Sequence, residues 1–281
     1  MREHSFCALG PSGFHRIQYY EWGAAENDRV IICVHGLTRN GRDFDMLATA
    51  LAQHYRVICP DVVGRGKSEW LAKKEEYGYP QYCADMAALI ARSGALSIDW
   101  IGTSMGGIIG MLMAAQNGSP IRRMVVNDVG PFIPKAALER IGTYVGKDIS
   151  FASVEEAETY MRFVSAGFGP LTDTQWRHLV EHSVKPDNEG KLRLIYDPSI
   201  SHAFSGPITD IDLWSVWDSI RCETLLLRGT ESDLLLAKTA EEMTRRGPKA
   251  SLVEFEGVGH APMLMSDEQI GAVTDFLLAP G

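Results

Sequence analysis

Short apolar runs, each closing on a residue that interrupts extended structure, alternate with amphipathic stretches along this chain. No other feature constrains the fold as strongly. Arg29 to Val34 leads to Gly36, Arg56 to Cys59 to Pro60, Ile98 to Ile101 to Gly102, Arg123 to Val126 to Asn127, Thr224 to Leu227 to Gly229, and Ser251 to Phe255 to Gly257. Runs that are predominantly apolar, rather than apolar at every second residue, belong to strands covered on both faces. Phe44 to His54, Tyr79 to Ser93, Met105 to Asn117, Leu234 to Arg246 and Asp267 to Leu278 read as helices. Strand alternating with helix predicts an α/β fold with a parallel sheet between two helical layers.

Between Asn127 and Cys222 the alternation stops. Amphipathic pieces rich in aromatic residues replace it, among them Phe132, Tyr144, Phe151, Phe168, Trp176, Trp214 and Trp217. The segment is too long for a plain connection, and the strand pattern resumes after it. A helical cap over residues 131–217 is therefore expected, inserted into a core formed by residues 1–130 and 218–281.

The sharpest local signal is Gly102-Thr103-Ser104-Met105-Gly106-Gly107, which joins a predicted strand to an apolar helix. A serine on a sharp strand-to-helix turn leaves no room for side chains beside it, so glycines flank it. A serine hydroxyl needs a base oriented by a carboxylate before it can attack a carbonyl. His260 follows the last predicted strand in Gly257-Val258-Gly259-His260 and is the candidate base. Asp233, in the loop after the Thr224 to Leu227 strand, is the expected acid, with Asp128 and Glu231 as competitors. Two backbone amides should stabilise the oxyanion: Met105, directly after the nucleophile, and Leu37, in His35-Gly36-Leu37. Leu37 and Phe132 are the candidate substrate-binding residues, whereas Trp214 and Trp217 fit a buried helical stripe better.

Taken with Asp61-Val62-Val63-Gly64-Arg65-Gly66-Lys67-Ser68, these motifs resemble the α/β-hydrolase superfamily, in order from about residue 28 onward. One departure is Val63, which stands where many relatives carry arginine. The resemblance implies a mostly parallel eight-stranded sheet flanked by helices, an inserted helical cap, and a Ser-His-Asp hydrolase without a cofactor. Within that superfamily the chain resembles carboxylesterases and lactonases similar to 3-oxoadipate enol-lactonase. The expected activity is cleavage of small to medium, largely apolar esters, lactones or hydroxyacid esters through an acyl-enzyme. Relatives on the same scaffold that hydrolyse carbon–carbon bonds of ring-cleavage products, or act as cofactor-free haloperoxidases, supply the alternative, and a non-catalytic binding protein is a further one.

Two motifs are decoys. Gly66-Lys67-Ser68 ends like a phosphate-binding loop, but Asp61 stands where that loop needs glycine. His178-Leu179-Val180-Glu181-His182 has the spacing of a zinc motif, yet the insertion offers no third ligand, so no metal is expected and chelation should leave activity intact. The net charge of −9 disfavours nucleic acid and anionic membranes as partners, leaving a small-molecule ester as the expected one. Five scattered cysteines without CxxC spacing fit a reducing compartment, and no apolar run approaches the roughly 18 residues that span a bilayer. A cytoplasmic protein is expected; its oligomeric state is not legible.

Overall fold

Eight strands build the central sheet of the computed structural model, which describes residues 1–280: β1 Arg2–Gly10, β2 Gly13–Trp22, β3 Val30–Val34, β4 Arg56–Pro60, β5 Ile98–Thr103, β6 Ile121–Asn127, β7 Glu223–Gly229 and β8 Ser251–Phe255. Their spatial order is β1-β2-β4-β3-β5-β6-β7-β8. From β4 to β8 all pairings are parallel, whereas β2 runs antiparallel to both β1 and β4. Six strands fall where the apolar runs predict them. The β1–β2 hairpin was not predicted, because β1 is an edge strand that is exposed at about every second residue and carries no continuous apolar run.

Three helices precede the insertion: α1 Asp45–Leu51, α2 Tyr79–Ser93 and α3 Met105–Ala114. On α2 the buried residues Tyr82, Met86, Leu89 and Ile90 recur at helical spacing, and left-handed Gly94 (φ 72°) ends the helix. Pleating sends neighbouring side chains of one strand to opposite faces. Ile32 and Val34 of β3 accordingly pack with α2 and α3, while Ile31 and Cys33 pack with α1 on the other side.

The inserted segment holds α4 Lys135–Gly142, α5 Val154–Val164, α6 Asp173–Glu181 and α7 Trp214–Ser219. It is not purely helical. Ser150–Phe151, Leu192–Leu194 and Val184–Pro186 form a small antiparallel sheet, and Phe132–Ile133 pairs with Ile211–Asp212. Ser153 caps α5, and Thr172 with Gln175 forms a capping box on α6. The apolar cluster of this segment, with Met161, Trp176 and Leu179, is completed by Met263 and Met265 from the loop after β8. Elsewhere Ile133, Ala137 and Ile141 of this segment cluster with Val34 and Val126 of the sheet. Trp217 of α7 is fully buried in the main core and donates from Nε1 to the Arg246 carbonyl at 3.1 Å. Trp217 thus packs in the same cluster as the sheet residues Val34 and Val126.

Two helices close the chain's regular structure: α8 Ala237–Met243 lies on the α2/α3 side, and α9 Asp267–Leu278 on the α1 side. The C-terminal ends of β3, β5, β6, β7 and β8 consequently share one rim beneath the inserted segment.

Candidate active site

β5 passes into α3 through a single residue. That residue, Ser104, has φ 52° and ψ −115°, a strained conformation for any residue with a side chain. Lack of space sets the turn. A Cβ on Gly102 would lie 2.2 Å from the Gly106 carbonyl oxygen, and one on Gly106 would lie 2.0 Å from the Val34 carbonyl oxygen. The Ser104 amide donates to the Asn127 carbonyl of β6 at 2.9 Å, which anchors the turn to the neighbouring strand.

The Ser104 hydroxyl lies 2.9 Å from His260 Nε2, and His260 Nδ1 lies 2.7 Å from Asp128 Oδ2. To reach Ser104 from β8, the His260 loop must cross the end of β7. Gly229 permits the crossing, since a Cβ there would stand 2.3 Å from the Val258 carbonyl oxygen. A cap residue supports the same loop: the Gly259 amide donates to the Gly167 carbonyl at 2.7 Å.

The acid beside His260 is Asp128, not Asp233. Asp128 follows β6 with a left-handed backbone (φ 55°), which aspartate tolerates better than most residues, and it is fully buried. Its carboxylate accepts from the Gly229 amide at 3.0 Å, from the Ser232 hydroxyl at 2.6 Å and from His260. Ser232 thus turns inward to Asp128, and Asp233, the next residue, turns outward. Asp233 is half exposed and receives Arg140 of α4 through Nε at 2.5 Å and Nη2 at 2.9 Å. Glu231 is exposed as well.

Leu37 and Met105 both line a cavity that reaches Ser104, and neither backbone amide has a hydrogen-bond acceptor among the described residues. Two buried side chains that sequence reasoning missed hold this region. Arg65 is fully buried; its Nε donates to the Leu37 carbonyl at 2.8 Å, its Nη1 to the Val63 carbonyl at 2.7 Å and to Tyr82 at 3.1 Å, and its Nη2 faces Met105 Sδ. His35 donates from Nδ1 to the Gly36 carbonyl at 2.7 Å and accepts from the Val62 amide at Nε2, 2.9 Å away. Burial pushes the His35 imidazole down to about 3, helped by the nearby Arg65 and Arg39 charges, so it is neutral and its tautomer is fixed. Arg65 stands between Gly64 and Gly66 in the Asp61 to Ser68 motif, and nothing in that spacing shows that it is buried.

Ser104 stands between two cavities. One, of about 350 Å³, is mostly apolar and is lined by Leu37, Met105, Ile108, Ile133, Leu138 and Phe204. The other, of about 120 Å³, contains His260 together with Arg39, Arg140, Tyr144, Tyr160 and Tyr196. Leu37 borders both. Phe132, the other expected binding residue, borders neither: alternation along its short strand gives the apolar cavity Ile133 instead. Trp214 and Trp217 also stay outside both cavities.

The decoy motifs resolve differently. The Asp61 carboxylate accepts the amides of Gly41 and Lys67, both at 2.8 Å, and Gly66 (φ 55°) wraps so closely that a Cβ would meet Asp61 Oδ2 at 2.1 Å. The loop therefore encloses its own anion. His178 and His182 do acquire a third neighbour, Asp45 of α1, with one ligand atom of each within 4.8 Å of the others. It comes from the core, outside the insertion, which is why local spacing gave no sign of it. Arg42 already binds that carboxylate, from Nη2 at 2.5 Å, and His178 Nε2 lies 3.1 Å from the Arg42 carbonyl.

A serine on a glycine-flanked elbow, a histidine reaching over from the last strand and a mostly parallel eight-stranded sheet define the α/β-hydrolase class. Residues 31–272 match the family model described as the alpha/beta hydrolase family, and the chain belongs to that family as an enzyme of the hydrolase type. A 3-hydroxybutyrate-oligomer hydrolase of Cupriavidus necator is 46% identical over 277 residues, which is 95% of this chain and 94% of that protein. Among solved structures, one from Rickettsia typhi superposes with a TM-score of 0.94 at 34% identity and covers 100% of both chains. An alpha/beta hydrolase from Novosphingobium aromaticivorans superposes with a TM-score of 0.87 at 35% identity, covering 98% of this chain and 97% of its own. No helix among the described residues is long and apolar enough to cross a membrane.

Proposed function

We propose that the protein is a serine esterase that cleaves short hydroxyacid oligoesters, 3-hydroxybutyrate oligomers foremost, through an acyl-enzyme. The observation that carries the chemistry is the unbroken chain from Ser104 Oγ through His260 to Asp128, at 2.9 Å and 2.7 Å. The relative from Cupriavidus necator supports the substrate class, and the apolar cavity beside Ser104 suits a short aliphatic acyl chain.

In this reading Ser104 Oγ attacks the ester carbonyl while His260 Nε2 takes its proton. Asp128 holds the imidazole with its Nδ1 proton toward the carboxylate and stabilises the imidazolium. The amides of Leu37 and Met105 receive the oxyanion; removing one such donor from a hydrolase typically costs about 10²–10³ in turnover. His260 then returns the proton to the leaving oxygen, and water repeats the sequence on the acyl-enzyme.

The test is a panel holding a 3-hydroxybutyrate dimer, a simple acyl ester, a lactone and a ring-cleavage diketone, assayed with wild type and Ser104→Ala. Turnover of the dimer should fall by about 10⁵–10⁶ in the variant. Preference for the diketone would favour carbon–carbon bond hydrolysis. Failure of a fluorophosphonate to label Ser104 would favour a binding protein.

A further inference from the structure

Arg140 and Asp233 form an ion pair at the edge of the cavity that holds His260, and the proposed hydrolysis leaves that pair without a role. Its geometry is selective. Asp233 occupies one edge of the guanidinium, Nε and Nη2, and leaves Nη1 without a carboxylate partner. Tyr144, one turn further along the chain, lines the same cavity as Arg140. The other arginine there is saturated by comparison: Arg39 gives Nε and Nη2 to Asp43 and Nη1 to Ser183. Arg140 therefore keeps Nη1 available for an anion such as a carboxylate, with the Nε and Nη2 edge held by Asp233.

The chemistry decides which part of the substrate meets it. His260 must hand its proton to the leaving oxygen, so the departing alcohol lies on the His260 side of Ser104. That side is the cavity containing Arg140 and Tyr144. The apolar cavity, which Met105 borders and His260 does not, is left for the acyl chain.

Resting on the serine-esterase reading, we infer that Arg140 determines specificity by binding a free carboxylate on the alcohol portion of the ester, with Asp233 as the residue that positions it. The preferred substrate is then an oligoester whose leaving unit is a hydroxyacid, removed from the carboxyl end. The ester C–O bond breaks, its electron pair goes to the leaving oxygen, and that oxygen takes the proton from His260 Nε2. A free hydroxyacid departs, and the shortened chain remains on Ser104 Oγ until water releases it.

The experiment compares cleavage of the internal ester in a 3-hydroxybutyrate dimer with that in the same dimer carrying a methyl ester on its terminal carboxyl. A charge-assisted contact predicts that kcat/KM in wild type favours the free acid by about 10- to 100-fold. Arg140→Gln should collapse that ratio to near one, and Arg140→Lys should restore part of it. A wild-type ratio near one, or a ratio that survives Arg140→Gln, overturns the assignment. Should Arg140→Gln fail to fold, wild type alone still decides: free 3-hydroxybutyrate should inhibit at least tenfold more tightly than its methyl ester, and equal inhibition overturns the assignment. Ser104→Ala run in parallel separates the two ideas. Hydrolysis persisting in that variant sinks the serine mechanism, whereas an inactive Ser104→Ala beside an unchanged ratio sinks only the role of Arg140.

Discussion

At the scale of single residues, two aspartates only 105 positions apart at neighbouring strand ends carry opposite assignments. Asp128→Asn removes the acceptor that fixes the His260 tautomer, and the expected loss in kcat is about 10⁴. Asp233→Asn leaves the contact between His260 and Asp128 in place but loosens Arg140, so its cost should appear mainly as a raised KM for carboxylate-bearing substrates. Steady-state kinetics on both variants separates the two. A kcat loss for Asp233→Asn equal to that of Asp128→Asn would return the acid to the Asp233 loop. The sequence supported Asp233 because its loop follows a buried strand between the serine and the histidine. What it hid is rotational: Ser232 turns into the rim and donates to Asp128, which directs its neighbour to solvent. Ser104 and His260 were legible because each is fixed by glycines whose absence of side chain is itself a signal.

Elements, in turn, depend on close approach. The first turn of α3 rests against the ends of β3 and β5 with no space for a methyl group at Gly102 or Gly106. Gly106→Ala should therefore destabilise by about 3 kcal/mol or more, since the obstructing atom is a backbone carbonyl that cannot rotate away. Gly190 is a useful reference because a Cβ there meets nothing within 4 Å, although its backbone is left-handed (φ 80°), and strain of about 1 kcal/mol is expected for Gly190→Ala. Urea unfolding of both variants measures the difference, and equal midpoints would refute the steric account of the elbow. The central strands were readable because both faces are largely buried, so most positions are apolar. In β1 only one face is covered, and its polar residues, Glu3, Ser5 and Cys7 among them, mask the strand. The short strands of the cap, two or three residues long, carry no periodicity at all.

Across the whole molecule, two buried groups at the ends of β3 and β4 make opposite demands on pH. Burial lowers His35 to about 3 and raises Asp61 to about 6, the latter despite hydrogen bonds from Lys67, Gly41 and Tyr20. An unfolded chain takes up a proton on its free histidine near pH 6.5, whereas folded His35 does not, so its contribution is complete above that pH and is lost progressively toward pH 3. Asp61 acts the other way: its folded form takes up a proton first, so acidification from about pH 6 toward 4 favours the fold. Each changes stability by about 1.4 kcal/mol per pH unit within its window, and between pH 4 and 6 they offset each other. The wild-type curve therefore conceals both, and a variant is needed to expose them. His35→Phe deletes one side of the balance and leaves the Val62 amide unpaired, so it should be less stable than wild type at pH 7. The gap should shrink by about 1.4 kcal/mol for each unit of acidification below pH 6.5. Unfolding free energies of both proteins at pH 7, 6, 5 and 4 provide the measurement. A gap that stays constant over that range would mean that His35 takes up its proton in the folded protein as readily as in the unfolded chain, and that the loop holding Leu37 is less tightly sealed than its hydrogen bonds indicate.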